Sequence, residues 1–505
     1  MESMSFHKFS GNYLVLRPTE VSVFDLFRIL WSHDLEEKAI VQCPPERLQE
    51  NIRRKWLIFM SLSSQKLLLL AAEPMRWIGE KLEMWVNLVS LNRNVFVLFL
   101  NLLRGKVKMP DRRSEVFMSF IGGLDTRVEL DKDIKPGDCR YFGAMAAKLS
   151  YENEAFVRRI IRDYWKMDLI GYYNFWNGKK KKSNIYVLSI VFKLRSTVPL
   201  NEDYQKKNNT QAFMVYDKTT DMIIVAFRGT EPFNADDWST DLDVSWFELD
   251  EMGKIHGGFV KALGLVMEKG WPPYVDNDNR HGHLLAYYTL REKLKEKLNP
   301  ANKTRFKVTG HSLGGALSIL FPAVLALHKE RLLLERLEGV YTFGQPRVGD
   351  KKFKEFMEIQ LRNYGFRYLR YVYCNDMIPR TPTDDLAFLY KHFGNCIYFN
   401  SFYKGKILEE EPHKNYISLF AWIPRHLNAA CELVRGRILL PLIKGAEYKE
   451  TWLLMMLRLW GLAFPGLSAH NTQDYVNATR LISRRIYHQL QHHRHPWKII
   501  NGKQE

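Results

Sequence analysis

The chain has 505 residues, longer than one typical domain, and a hydrophobic fraction of 46% with 13% aromatics supplies ample material for a large core. A formal net charge of +18 asks for an anionic surface: nucleic acid is one option, though no nucleic-acid-binding motif or zinc-ligand spacing accompanies the charge, and anionic phospholipid is the other; the chemistry of motifs further along the chain decides for lipid, and no nucleic acid is expected. Five cysteines, Cys43, Cys139, Cys374, Cys396 and Cys431, are odd in number and lack a C-x-x-C pair, which excludes a disulfide framework.

Residues 1–8 lack the basic-then-apolar layout of a secretory signal, so a cytosol-facing protein with reduced thiols is expected. The sequons at Asn208, Asn302 and Asn477 are then silent. After a strand-like start at Tyr13-Leu14-Val15-Leu16, residues 1–130 read as mainly helical. Residues 56–103 are unusually apolar, but Lys66 and Arg93 leave no uncharged run of the roughly 18 residues that a bilayer-crossing helix needs. Two apolar helices broken near Pro74, flanked by Arg53, Arg54 and Lys55 and by Arg104, Lys106 and Lys108, fit a monotopic insertion into a phospholipid monolayer; a helical cap packed on the rest of the chain is the other reading. Lys179-Lys180-Lys181-Lys182 reads as a solvated loop.

From there strands alternate with helices. Strands are expected at 212–215, 222–227, 306–309, 339–343 and 368–373, which gives a mostly parallel, doubly wound α/β sheet. Past the strand at 222–227 and Arg228-Gly229-Thr230, Trp238, Leu242 and Trp246 recur every four residues, so a short helix here carries an apolar stripe opposite acids. That stripe either covers a site or packs on the core.

Residues 304–309 alternate polar and apolar, 316–328 form a helix-forming run, and Gly310-His311-Ser312-Leu313-Gly314-Gly315 joins them. This is the setting of a nucleophile elbow, in which glycines let strand and helix close around a strained turn that lifts the serine hydroxyl out of the sheet. The Leu313 N–H then opens a helix and points at a developing oxyanion. In hydrolases of this arrangement an acid and then a histidine follow the serine. Asp376, in Cys374-Asn375-Asp376-Met377-Ile378-Pro379 just past a strand's carboxyl end, is the leading acid, with Asp350, Asp384 and Asp385 as rivals. For the histidine, spacing leaves His392, His413, His426, His470, His488, His492, His493 and His495 open, and the last three read as exposed tail.

Four blocks carry a resemblance to the class 3 lipases of the α/β-hydrolase superfamily, and within them to the plant oil-body triacylglycerol lipases: residues 225–230, the elbow, Thr342-Phe343-Gly344-Gln345-Pro346-Arg347-Val348-Gly349, and Asn375-Asp376-Met377-Ile378-Pro379-Arg380. The resemblance implies an α/β-hydrolase fold and selects His470, ahead of Tyr475, as the third member beside Ser312 and Asp376. It implies Thr230 and Leu313 as oxyanion donors, a lid at about 231–246 bearing Trp238, Leu242 and Trp246, and a first helix of the catalytic domain at 143–151. The stretch between Asp376 and His470 is long for the family, so an insertion at about 385–466 must loop out. Its apolar part, 452–464, suits an acyl-binding surface or a dimer contact.

The expected organisation is therefore a helical, lipid-surface-associating region over 1–134 and a lipase-like domain over 135–505. The expected activity is serine-dependent hydrolysis of long-chain acyl esters of triacylglycerol, without metal or organic cofactor, on the cytosolic face of a lipid droplet (oil body) with monotopic attachment. The partners are triacylglycerol, the droplet's phospholipid monolayer or a membrane surface, and a homo-oligomer is left open. A phospholipase or galactolipase of the A1 type is the nearer alternative. A catalytically silent droplet-surface interaction protein is the alternative of another class.

Overall fold

A computed structural model of the protein describes residues 12–31, 41–44, 55–130, 139–175, 210–249, 251–265, 285–298, 303–382, 390–412, 422–445, 448 and 450–482. The lysine run 179–182, Asn208, Asn302, Asp384, Asp385, His413, His488 and the tail histidines lie outside the described residues.

Among the described residues twelve strands form two sheets: β1 (Tyr13–Leu16), β2 (Val41–Gln42), β3 (Asp168–Phe175), β4 (Thr210–Asp217), β5 (Met222–Phe227), β6 (Trp246–Leu249), β7 (Gly253–His256), β8 (Arg305–His311), β9 (Leu337–Phe343), β10 (Arg367–Tyr373), β11 (Asn395–Phe399) and β12 (Gly405–Leu408). The main sheet has eight strands in the order β12-β11-β10-β9-β8-β5-β4-β3. From β5 through β8, β9 and β10 to β11 the strands run parallel, and antiparallel strands β3, β4 and β12 close the two edges. All five strands expected from sequence are present, the one at 222–227 with the expected bounds and the other four slightly longer.

The period-two side-chain alternation sets the layers. In β5, Ile223, Val225 and Phe227 join the core on one face, under the helices Leu313–Leu327 and Lys351–Tyr364. Ile224 and Ala226 join the core on the other face, under Cys139–Leu149 and Thr472–Arg480. Each such fully buried Val, Ile or Phe contributes about 1.5–3 kcal/mol. The order of the parallel strands and the helices on both faces make this an α/β-hydrolase fold.

The second sheet, β2-β1-β6-β7, joins the amino-terminal part to the segment after the expected lid. Leu14 pairs with Trp246 and Tyr13 with Phe247, and Leu14, Leu16, Ile58, Leu62 and Trp246 share one buried cluster. The four-residue stripe therefore ends at Leu242. The helix Ala235–Leu242 stops where Asp243 turns extended, and Trp246 is a buried strand residue, because the Asp243 carboxylate accepts the Ser245 N–H and a β-prone Trp-Phe pair follows.

The expected break near Pro74 is also overturned. One helix runs through it, Lys55–Leu91, and the chain bends by 82° before Val95–Leu103. Pro74 faces outward, so water can serve the carbonyl that it leaves without a donor, whereas Arg93 takes a left-handed φ of 72° and Asn94 caps the next helix by accepting the Val97 N–H. Among the described residues no single helix is long and apolar enough to cross a membrane, though the bent pair passes by length and composition together.

The inner side of the Lys55–Leu91 helix is polar and engaged. Ser61 donates to the Leu242 carbonyl at 2.7 Å and accepts the Val244 N–H at 3.2 Å, while Ser239 donates to Gln65 at 3.2 Å. Its outer side leaves Trp56, Leu67, Leu70, Trp77 and Trp85 exposed. The helix is thus packed on the segment 239–244 and apolar towards solvent at once. A chain beginning at residue 135 loses the partner of β6 and the support of the Ala235–Leu242 helix. We expect it to be insoluble or to melt well below the full chain in differential scanning fluorimetry; an unchanged melting temperature would show that this packing contributes little.

Candidate active site

The strand β8 ends in His311 and the helix Leu313–Leu327 begins two residues later, so Ser312 carries the whole reversal. It does so at φ 58°, ψ −129°, a strained conformation for a residue with a side chain. The turn is held by the Ser312 N–H on the Phe343 carbonyl at 2.9 Å and by the Gly315 N–H on the Ser312 carbonyl at 2.9 Å. Strand and helix touch at Gly310, where a Cβ would lie 2.2 Å from the Gly314 carbonyl carbon. Only glycine fits there.

Parallel strand β10 ends on the same side of the sheet, and Asp376 follows it. Its carboxylate is fully buried and takes the Ile378 N–H at 2.9 Å, the His470 Nδ1–H at 2.7 Å and the Tyr475 hydroxyl. His470 belongs to the loop before the Thr472–Arg480 helix, 94 residues beyond Asp376, and Asn471 caps that helix on the Asp474 N–H at 2.8 Å. With Nδ1 donating to Asp376, Nε2 of His470 is the unprotonated nitrogen, and it is buried with no hydrogen-bond partner among the described residues. Its ring stacks on that of His311, the neighbour of Ser312, at 4.5 Å between centroids. His311 Nδ1 lies 2.9 Å from the Tyr151 hydroxyl, and burial holds that imidazole well below its ordinary pKa, so it stays neutral beside His470.

The rival residues sit elsewhere. Asp350 caps the Lys351–Tyr364 helix on the Phe353 N–H. His392 is a buried partner of the Pro379 carbonyl at 2.7 Å and lies 3.8 Å from Glu411, and His426 lies in the Trp422–Val434 helix.

Thr230, past the end of β5, lies next to Gly229, whose Cβ position is 3.1 Å from Ser312 Cβ. Its hydroxyl donates to Asp241 at 2.6 Å, which ties the Ala235–Leu242 helix to this corner. Asp241 does not stand out in the sequence. Its signal was an acid on the inner side of a helix otherwise marked by its tryptophan. Asp237, one turn earlier, accepts the Glu231 N–H and lies 3.6 Å from Arg228. Burial pushes Asp241 up to about 7 and Asp237 up to about 8. The roles of Tyr475 and Gly344 were also missed. Gly344 has φ 60°, and a Cβ there would stand 2.7 Å from His470 Cε1 and 2.8 Å from Asp376 Oδ2.

Two outcomes follow from this geometry. Gly344→Ala drives a methyl group into the Asp376–His470 contact, so turnover of a soluble ester should fall by about 10²-fold or more with KM little changed; full activity would mean that the pair has room to spare. Asp241 ionises near 7 when folded but near 3.9 when released to water, so the folded state holds the extra proton between these values and stability falls as pH rises through that window. Asp241→Asn keeps an oxygen for Thr230 and removes the ionisation. The melting temperature of the variant relative to wild type should therefore climb by a few degrees, about 2–8 °C, between pH 5 and 7 and then level off; a pH-independent difference would contradict the buried-acid explanation.

A sequence profile of the family described as Lipase (class 3) matches residues 224–386, the stretch that holds Thr230, Ser312 and Asp376. Triacylglycerol lipase OBL1 of Nicotiana tabacum is 39% identical over an alignment that covers 85% of this chain and 83% of that protein. Triacylglycerol lipase OBL1 of Arabidopsis thaliana is also 39% identical, over 93% and 95%. The solved structure of Rhizomucor miehei triacylglyceride lipase is 23% identical, with a TM-score of 0.32 over 51% of this chain and 78% of that one. Through its similarity to the two plant proteins over most of its length, the chain belongs to the class 3 lipase family.

Proposed function

We propose that this chain is a serine-dependent triacylglycerol lipase that works on the surface of a lipid droplet. The observation that carries the reading is a buried Asp376–His470 pair, bonded at 2.7 Å, with the His470 ring stacked on His311, the residue that adjoins the strained turn of Ser312. In this reading Ser312 Oγ attacks the ester carbonyl carbon while Nε2 takes its proton. The carbonyl oxygen becomes an oxyanion that accepts the Thr230 and Leu313 backbone N–H groups, each worth about 10²–10³ in turnover. Collapse breaks the bond to the glycerol oxygen, which leaves with the proton held on Nε2. Water then attacks the acyl-serine with His470 as base, and the fatty acid departs. Asp376 keeps the imidazole in the tautomer that exposes Nε2 and stabilises the imidazolium.

The Ala235–Leu242 helix, with Trp238 and Leu242, is the lid in this reading, and Trp246 serves as its strand anchor. The 39% identity to proteins named triacylglycerol lipase supports the substrate. A net charge of +18 and the exposed tryptophans and leucines of the Lys55–Leu91 helix support attachment to a phospholipid monolayer over oil, where an apolar helix need not span.

Purified protein offered emulsified triacylglycerol, phosphatidylcholine and galactolipid in parallel should release fatty acid fastest from the first. Ser312→Ala should cut that release by about 10⁴-fold or more while droplet binding persists. Faster hydrolysis of either polar lipid would move the enzyme to the A1-type acyl hydrolases, and undiminished release by Ser312→Ala would end the serine mechanism. High salt should leave the protein on droplets and detergent should remove it, because burial outweighs screened charge.

A further inference from the structure

The helices between Asp376 and His470 have their polarity inverted. In Trp422–Val434 and the turns that follow to Lys444, the buried side chains include Glu432 and Arg435, at 2% exposure each, while Leu427, Ile438, Leu442 and Ile443 are 52–79% exposed. In Trp452–Trp460 the fully buried polar group is Arg458, at 1%, while Trp452 and Trp460 are 51% and 70% exposed. The buried charges lie beside charges of opposite sign. Arg458 donates to Glu450 at 2.6 Å and to Asp474 at 2.9 Å, and it lies 3.5 Å from Glu432, which itself lies 3.7 Å from Arg435. A water-facing helix turns its charges out and its leucines in, and exposed apolar patches of this extent mark a binding surface.

We propose that the outward face of residues 422–467 is a second lipid-contact face, which seats on the phospholipid monolayer and delivers acyl chains to the His470 loop. This rests on the lipase reading above. Three observations favour lipid over a second copy of the chain. Glu432 is the sole acid within the helices from Trp422 to Lys444 and from Trp452 to Ser468, and it is buried, so these helices expose no carboxylate to repel anionic headgroups, while Arg437 is exposed on them. Two copies, each with a net charge of +18, repel one another. The helices that carry the face also pack against the amino-terminal part that exposes apolar side chains, since Leu453 and Leu454 share a buried cluster with Ile121 and Leu124, against which Val86 packs. Phe464, 59% exposed, brings the face to within six residues of His470.

The test uses the full chain with Leu442→Glu combined with Ile443→Glu, and separately Trp460→Glu, all at solvent-facing positions. The probe is a triolein emulsion coated with phosphatidylcholine and phosphatidylserine, read by flotation and fatty-acid release, beside hydrolysis of water-soluble p-nitrophenyl butyrate. Both variants should lose flotation and emulsion activity by about tenfold or more, while the soluble ester is cleaved at the wild-type rate and the melting temperature holds. Flotation equal to wild type overturns the proposal. So does a change from dimer to monomer in light scattering with flotation intact, which assigns the face to a second copy. Should one variant fail to fold, the other carries the test. If wild type floats but releases no fatty acid in a Ser312-dependent way, the lipase reading fails while the lipid-contact face stands.

Discussion

A carboxylate with no solvent exposure is costly unless donors surround it, and Asp376 finds its donors in two distant pieces of chain. The Ile378 N–H comes from its own turn, and the His470 ring and Tyr475 hydroxyl come from the loop and helix that follow the insertion. The same bonds therefore close the fold and set the histidine. They also fix where His470 presents Nε2, since Gly344 leaves room for the imidazole and the neutral His311 ring stacks behind it. On the other side, the strain of Ser312, about 1–3 kcal/mol for such a backbone, is held by the parallel strands β8 and β9 and by the helix that the turn starts.

Two stretches outside the matched residues 224–386 are also wired to this centre. The segment between Asp376 and His470 reaches it through Arg458, whose bond to Asp474 steadies the first turn of the helix that carries Tyr475. Asp474 also accepts the Tyr403 hydroxyl and Asn471 Nδ2, so one buried cation organises a cluster that would otherwise hold like charges together. The amino-terminal helix reaches the centre by the opposite route: Ser61 and Gln65 hold the Ala235–Leu242 helix, and Asp241 on that helix holds Thr230. The apolar outer sides of both additions stay exposed. Polar groups thus face inward beside buried leucines such as Leu62 and Leu454 and fix the site, and further hydrophobic groups face outward.

Much of this was legible in the sequence because local chemistry and tertiary structure agree there. The elbow is a local motif with its own strand and helix, so the strands at 222–227, 306–309, 339–343 and 368–373 and the serine needed no long-range information. His470 was different. Spacing left eight histidines open, and only the resemblance to lipases chose among them, because the pairing with Asp376 spans 94 residues and leaves no local periodic trace. The errors had the same origin. Trp246 continued a helical period by coincidence and was claimed by a strand whose partner, Leu14, lies far back in the chain. Pro74 marked a break by its intrinsic cost, but at an outward position the helix tolerates it, and the Asn92-Arg93-Asn94 turn made the bend instead. Strands β11 and β12 were missed because they lie at the edge of the long segment that reads as an insertion.

The most direct measurement of the proposed centre is covalent capture. A p-nitrophenyl alkylphosphonate places a tetrahedral phosphorus where the oxyanion forms and releases one equivalent of p-nitrophenolate when a nucleophile displaces it. Mass spectrometry should find a single adduct on Ser312, and the trapping rate should fall by about 10³-fold or more in His470→Ala. An adduct on another residue, or trapping at the wild-type rate without His470, would contradict the assignment of Ser312 and His470 as one catalytic unit.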